Sequence, residues 1–270
     1  MITTYHRPQT LEEALKLLSM PNTRPLGGGT VLSRPVNEYF VVVDLQALGL
    51  DKLHKSGDHL EIGATVNLQT LLESPLAPAA LKTALKLEAP LNLRNMGTVA
   101  GALVTCDGRS PFAAVLLALD AKVTFVKRSL NRNPSPIVHD LSSIGELLLL
   151  RKELVQDKLI TKIKIPLNAK LAYEYVARSP ADKPIVCAAL AQWSSGRSRL
   201  VIGGWGKLPA LAMDGNETST VEASLSSVQA AARNASHDAA DEWASSEYRI
   251  DIAAVLAQRC LDKISRDKIL

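Results

Sequence analysis

Two glycine-rich segments stand in the first half of the chain, Pro25-Leu26-Gly27-Gly28-Gly29-Thr30 and Arg94-Asn95-Met96-Gly97-Thr98-Val99-Ala100-Gly101. Successive glycines carry no Cβ. Their backbone can approach a ligand closely and aim several N–H groups at one point, a geometry that suits an anionic pyrophosphate. Neither of the two common nucleotide motifs is present in the first segment. No Lys-Ser/Thr pair follows Gly29, which excludes a Walker loop, and Leu32 stands where a dinucleotide fingerprint needs its third glycine. Taken alone, the segment reads equally well as a tight turn between Leu26 and Val31. The other chemistry-bearing residues are scattered. Cys106, Cys187 and Cys260 lie far apart with no CxxC pair, and the five histidines show no metal-ligand spacing. No metal site and no catalytic acid–base constellation is read from the chain.

The elements that must position these segments follow from composition and pattern. The chain has 270 residues, 47% hydrophobic and 21% charged, enough for one large or two modest domains. A net charge of +4 with Lys and Arg spread along the chain reads as solvated faces, and 4% aromatic residues argue against base-stacking platforms, so no nucleic-acid partner is expected. Sparse cysteines fit a reducing cytoplasm, the first eight residues carry no apolar signal region, and the longest apolar run, 112–119, is too short to span a bilayer. A cytoplasmic protein without a membrane span is the expectation.

Thr10-Leu11-Glu12-Glu13 is a capping box opening a helix to residue 18. Strands are expected over 24–26, 40–45, 59–64, 122–127 and 162–166, helices over 67–73, 78–88 and 111–119, and a loop over 131–136. Beyond Pro166 the pattern changes to three antiparallel strands, 171–177, 185–193 and 198–203, followed by helices over 221–234 and 245–264. Strands followed by helices indicate an α+β architecture with domains over residues 1–166 and 167–270.

A run of short motifs carries a family resemblance. In order they are Leu26-Gly27-Gly28-Gly29-Thr30, Val43-Asp44-Leu45, Leu60-Glu61-Ile62-Gly63-Ala64-Thr65, Leu93-Arg94-Asn95-Met96-Gly97-Thr98-Val99-Ala100-Gly101 and Leu116-Leu117-Ala118-Leu119-Asp120-Ala121. With Val201-Ile202-Gly203-Gly204-Trp205-Gly206-Lys207-Leu208-Pro209 and Ala244-Ser245-Ser246-Glu247-Tyr248-Arg249 followed by Val255-Leu256, they resemble the FAD-binding medium subunit of molybdenum hydroxylases, of the xanthine dehydrogenase and carbon monoxide dehydrogenase type.

The resemblance implies a bipartite FAD-binding domain of two small α/β lobes, with a C-terminal domain of a three-stranded antiparallel sheet and helices. It implies a role in electron transfer between a [2Fe–2S] small subunit and an acceptor, beside a molybdopterin-binding large subunit that hydroxylates the substrate. Gly27, Gly28, Gly29 and Thr30 match the first pyrophosphate loop, and Gly97, Thr98, Val99 and Gly101 the second. FAD is expected to be held noncovalently, since neither loop contains a His or Cys. Four positions depart from the family pattern. Val31 replaces a polar residue, Ala100 a glycine, Ala102 an Asn and Pro111 an Asp. Asp107, with Gly108 and Arg109, is the candidate substitute for the lost side chains, against the reading of Asp107-Gly108 as an ordinary turn. Restoring Asn at 102 and Asp at 111 is expected to strengthen FAD binding. Two alternatives stay open: a degenerate member acting as a structural subunit with weak or no FAD binding, and a stand-alone flavin reductase of the same fold.

Overall fold

A computed structural model of the chain describes residues 1–128, 137–155, 158–216 and 221–266. Along it run β1 (Ile2–His6), α1 (Leu11–Leu18), β2 (Thr23–Leu26), β3 (Phe40–Asp44), β4 (Leu53–Ser56), β5 (His59–Gly63), α2 (Leu68–Glu73), α3 (Ala79–Glu88), α4 (Leu91–Met96) and α5 (Val99–Thr105). They continue as α6 (Pro111–Ala118), β6 (Lys122–Arg128), β7 (Ile137–Ser143), α7 (Ile144–Leu149), α8 (Arg151–Leu154), β8 (Lys158–Pro166), β9 (Ala169–Val176), β10 (Val186–Trp193), β11 (Arg197–Gly203), β12 (Ala210–Asn216), α9 (Val221–Ala235) and α10 (Ser246–Arg266). The chain is therefore a mixed α and β protein with several sheets, as its sequence indicates. Two compact units emerge. One holds Met1–Leu71, Leu91–Thr105 and Lys122–Lys164, and the other Leu72–Pro90, Cys106–Ala121 and Ile165–Leu270.

The first unit contains a three-stranded parallel sheet in the order β1-β3-β2 and a five-stranded sheet in the order β4-β5-β8-β6-β7. Phe40-Val41-Val42-Val43-Asp44 is an almost continuous apolar run because β3 is the middle strand, with β1 and β2 paired on either side. Its last residue, Asp44, is buried and accepts from the Tyr5 hydroxyl and from the Gln46 N–H at 2.9 Å. Helix α1 starts at Thr10, whose hydroxyl accepts from Glu13 N–H at 3.2 Å, while the Glu13 carboxylate reaches back to the N–H of Gln9 rather than of Thr10. Ala14 and Leu15 of α1 pack with Val43, Leu45, Val126 and Leu159 in one apolar cluster. The expected loop over 131–136 lies outside the described residues.

The second unit is built on a four-stranded antiparallel sheet, β12-β11-β10-β9. This corrects the three-stranded expectation. The fourth strand, Ala210–Asn216, is an exposed edge that carries Asp214 and Gly215, and it shows no period-two apolar alternation to mark it. Strand β10 is buried along almost its whole length because both of its faces are covered. Ala188, Leu190, Leu200 and Ile202 pack with α9 and α10, while Cys187, Ala189 and Val201 alternate with them and are also buried, with α3 and α6 against this sheet. That requirement explains α6. Every residue from Pro111 to Ala118 is buried, Pro111 occupies its first turn, and Ser110 caps it by accepting from Ala113 N–H at 3.1 Å.

Arg249 of α10 is fully buried. Its guanidinium donates to the carbonyls of Ile185 at 3.2 Å, Gly204 at 3.5 Å and Ala239, and pairs with Asp241 at 2.7 Å. The Tyr248-Arg249 motif therefore fastens the last helix through its arginine, while Tyr248 remains 42% exposed. All three cysteines are buried, and none of them forms a disulfide. Among the described residues no helix is long and apolar enough to cross a membrane, and no group of three or more His, Cys, Asp or Glu is placed to hold a metal ion.

Candidate functional site

Both glycine-rich segments belong to the first unit, and they pack directly on one another. The first leaves the end of β2, where Leu45 N–H donates to the Leu26 carbonyl at 3.1 Å, and turns through Gly27, Gly28, Gly29 and Thr30. Gly29 sits at φ +71, a left-handed conformation that glycine adopts without steric cost. Among the described residues no acceptor pairs with the N–H groups of Gly27, Gly28, Gly29 or Thr30.

The second segment is not a loop. Met96 ends α4, Val99 opens α5, and only Gly97 and Thr98 lie between the two helices. The Thr98 hydroxyl accepts from Gly101 N–H at 3.2 Å and so caps α5. Three backbone bonds tie this junction to the connection between β5 and α2. Leu68 N–H donates to Gly97 at 2.9 Å, Val99 N–H to Val66 at 2.9 Å and Ala100 N–H to Ala64 at 3.2 Å. The segments meet at glycine on glycine. A Cβ on Gly28 would lie 1.7 Å from the Met96 carbonyl oxygen, and one on Gly27 2.8 Å from Thr98 Oγ1.

A cavity of about 460 Å³ opens between these segments, within the ordinary range for a small-molecule site. One part of its wall is Gly27, Gly28, Gly29, Thr30, Thr98 and Gly101; another is apolar, with Leu18, Leu45, Val104, Leu159 and Ile160. Two cations, Arg24 and Lys158, line it, and no Asp or Glu is among its described lining residues. Lys158 Nζ pairs with Asp140 at 2.9 Å, a bond that holds the Asp140 carboxyl below its usual range. Arg24 pairs with Glu38 at 2.6 Å and stacks 4.5 Å over the Phe40 ring. Thr65 also lines the cavity, and its Oγ1 is buried with no hydrogen-bond partner. An orphaned buried hydroxyl is costly unless a ligand pairs it.

Six of the nine expected site residues thus share one wall. Gly97 and Val99 do not line the cavity. Gly97 allows close packing on the Leu93 carbonyl, 3.0 Å from where its Cβ would stand, and Val99 is fully buried in the core. Asp107 belongs to the second unit. There its carboxylate accepts from Arg109 N–H at 3.0 Å, its carbonyl accepts from Ser110 N–H at 3.2 Å, and Lys183 lies 3.6 Å away, the geometry of an ordinary turn. Val31 and Ala100, two of the departures, line the cavity; Pro111 is buried at the start of α6. Arg24 and Lys158 escape a reading by motif, and Thr65 closes one of the family motifs without being marked there as a site residue. Each sits in or beside a strand whose pattern is ordinary, and only the folded wall unites them.

Comparison with known proteins places the chain among flavin-binding subunits. The family described as "FAD binding domain in molybdopterin dehydrogenase" matches residues 1–168. The chain is 26% identical over 286 residues to the glyceraldehyde dehydrogenase medium chain of Sulfolobus acidocaldarius, covering 97% of this chain and 98% of that protein. It is 28% identical over 277 residues to the nicotine 6-hydroxylase medium subunit of Paenarthrobacter nicotinovorans, covering 95% of each. Its fold is similar to a chain of the carbon monoxide dehydrogenase from Hydrogenophaga pseudoflava, with a TM-score of 0.77 at 22% identity over 97% of this chain and 96% of that one.

Proposed function

The chain belongs to the family of FAD-binding domains of molybdopterin dehydrogenases, an oxidoreductase subunit that binds FAD, and we propose that it serves as the electron-transfer subunit of a molybdopterin-dependent hydroxylase or dehydrogenase. In this reading it receives electrons from the [2Fe–2S] clusters of a small partner subunit and delivers them to an acceptor, while a molybdopterin-binding large subunit acts on the substrate. The relatives named as a medium chain and a medium subunit support an assembly of this kind. The proposed division is a FAD-binding part over residues 1–166, made of two small lobes, and a C-terminal part over 167–270. The family match ending at residue 168 and the two separate sheets of the first unit support it. The proposed setting is the cytoplasm.

The carrying observation is the glycine-on-glycine cradle that walls one cavity. The residues present fit the cofactor. The unpaired N–H groups of Gly27, Gly28, Gly29 and Thr30, with the hydroxyls of Thr30 and Thr98, would hold the pyrophosphate. Leu18, Leu45 and Leu159 offer an apolar wall to a ring, and Thr65 Oγ1 a buried polar group to its heteroatoms. FAD, when bound, supplies the redox chemistry; the chain binds it, orients it and shields it from water. An open cradle with an orphaned hydroxyl argues against the degenerate, structural alternative.

The purified chain is expected to be yellow, and acid precipitation should release free FAD into the supernatant. A colourless protein that takes up no added FAD would sink the proposal. Thr65→Val gives a sharper test. It keeps the side-chain shape and removes only the unpaired hydroxyl, so the apoprotein should keep or gain up to about 1 kcal/mol of stability. Its FAD dissociation constant should rise roughly five- to tenfold. Unchanged affinity on titration would place the hydroxyl outside the cofactor's reach.

A further inference from the structure

We infer that Lys158 and Arg24 are positioning residues that supply the counter-charge for the cofactor's pyrophosphate. The inference rests on the reading of this cavity as the FAD site. A pyrophosphate diester carries two negative charges. Family resemblance assigns its binding to backbone N–H groups and threonine hydroxyls, which are dipoles and leave those charges unmatched. The wall of the cavity matches them in number: two permanent cations and, among the described lining residues, no carboxylate.

The two cations are held differently. Lys158 opens β8 and lines the cavity with a side chain only 18% exposed, its ammonium paired with Asp140 at 2.9 Å and 5.7 Å from the centre of the Phe125 ring. Its partner Asp140 is 41% exposed and has a second cation, Lys127, at 3.9 Å. The ammonium can therefore turn towards a phosphate while Asp140 keeps a counter-ion. Arg24 sits in β2, just ahead of the glycine turn, and its partner Glu38 is 71% exposed. Exposed pairs of this kind contribute little to stability, so exchanging Glu38 for a phosphate oxygen costs little. A charge-assisted bond to phosphate inside a partly enclosed wall is stronger than either surface pair.

The test titrates the full-length apoprotein with FAD, ADP and riboflavin at low and at high salt. Lys158→Met keeps the aliphatic stem and loses the charge; Arg24→Met is its counterpart, and Lys158→Arg retains charge. Each Met variant should weaken FAD and ADP binding by roughly five- to tenfold at low salt and flatten the salt dependence of both dissociation constants. Riboflavin, which has no phosphate, should bind the variants as it binds the parent protein, and Lys158→Arg should stay within about twofold of the parent. Melting curves identify any variant that has lost its fold, and Lys158→Arg then carries the comparison of salt dependence. A double Met variant that binds FAD with the parent's affinity and salt dependence overturns the inference. A loss shared equally by riboflavin overturns it too, since the charges would then act on the ring or on the fold. If the parent protein binds neither FAD nor ADP, the reading of the cavity itself fails, an outcome distinct from both.

Discussion

Gly28→Ala is expected to strip the protein of flavin and to lower its melting temperature in the same step. The added Cβ would stand 1.7 Å from the Met96 carbonyl oxygen, 2.6 Å from the Met96 carbonyl carbon and 3.2 Å from Gly97 Cα. Every one of these atoms is backbone, and the backbone there cannot yield cheaply. Met96 ends α4, and Gly97 is tied to Leu68 N–H at 2.9 Å and donates to the Leu93 carbonyl at 2.6 Å. The two segments must separate, which opens the cradle and breaks the packing of the second onto the β5–α2 connection. Overpacking against fixed backbone costs about 3 kcal/mol or more, a fall of roughly 6–12 °C in melting temperature for a chain of this size. Reasoning from the sequence expects a bulkier residue at Gly28 to block the cofactor while sparing the fold; the packing extends the damage to the fold. Gly29→Ala is the control. Its Cβ would meet only Leu26 Cδ1 at 3.4 Å, so its cost is the strain of φ +71, about 1 kcal/mol. Calorimetry with flavin content measured on the same samples decides the matter. A Gly28→Ala protein with parental melting temperature and full FAD occupancy would mean that the segments do not pack as described.

How far the sequence reads can be followed at particular residues. Strand β10 and helix α6 were legible because burial on both faces demands unbroken apolar runs, and because Ser110-Pro111 marks a helix start. Strands β1, β4 and β12 were not. They are short or exposed edges, and Ile2–His6 owes its strand to pairing with Phe40–Val43, a partner far along the chain. The second glycine segment read as a loop because Gly97-Thr98 is a strong breaker signal, yet it interrupts only two residues between α4 and α5. Thr98, by capping α5, turns the break into a helix start. Most of the cradle was visible because glycine has few reasons to recur. Thr65 ends one of the family motifs, yet its place in the site was hidden with Arg24 and Lys158, because threonine and paired cations are common on any strand. Their relation to the cavity is a property of the fold and of no local spacing.

Pro111→Asp, the change that family resemblance recommends for tighter FAD binding, is expected to destabilise the protein strongly. The carboxylate it introduces has no room and no counter-charge. Position 111 is buried in the first turn of α6, and the anion-favouring end of that helix is already occupied. The Glu88 carboxylate, 9% exposed, accepts from the Ser110 hydroxyl at 2.7 Å and from the Phe112 N–H at 3.0 Å, on either side of the substituted residue. Lys183, at 3.7 Å from Glu88, is shared with Asp107 at 3.6 Å. A second buried carboxylate there faces both desolvation and a like charge, a cost of about 3–5 kcal/mol at neutral pH and a fall of roughly 6–20 °C in melting temperature. The sign of the pH dependence follows. Burial beside Glu88 raises the new carboxyl above its unfolded value near 4, so the deficit grows as pH rises through that range and shrinks as pH falls towards it. Adding Glu88→Gln should recover part of the loss by removing the like charge. Ala102→Asn, by contrast, alters a half-buried residue of α5 whose own N–H stays bonded to the Thr98 carbonyl at 2.9 Å, so it should leave the melting temperature near the parent's. Thermal melts of these variants between pH 5 and 8 are the measurement. A Pro111→Asp protein as stable as its parent across that range would show that Glu88 does not hold the start of α6 as the structure places it, and would reopen position 111 as a contact for the cofactor.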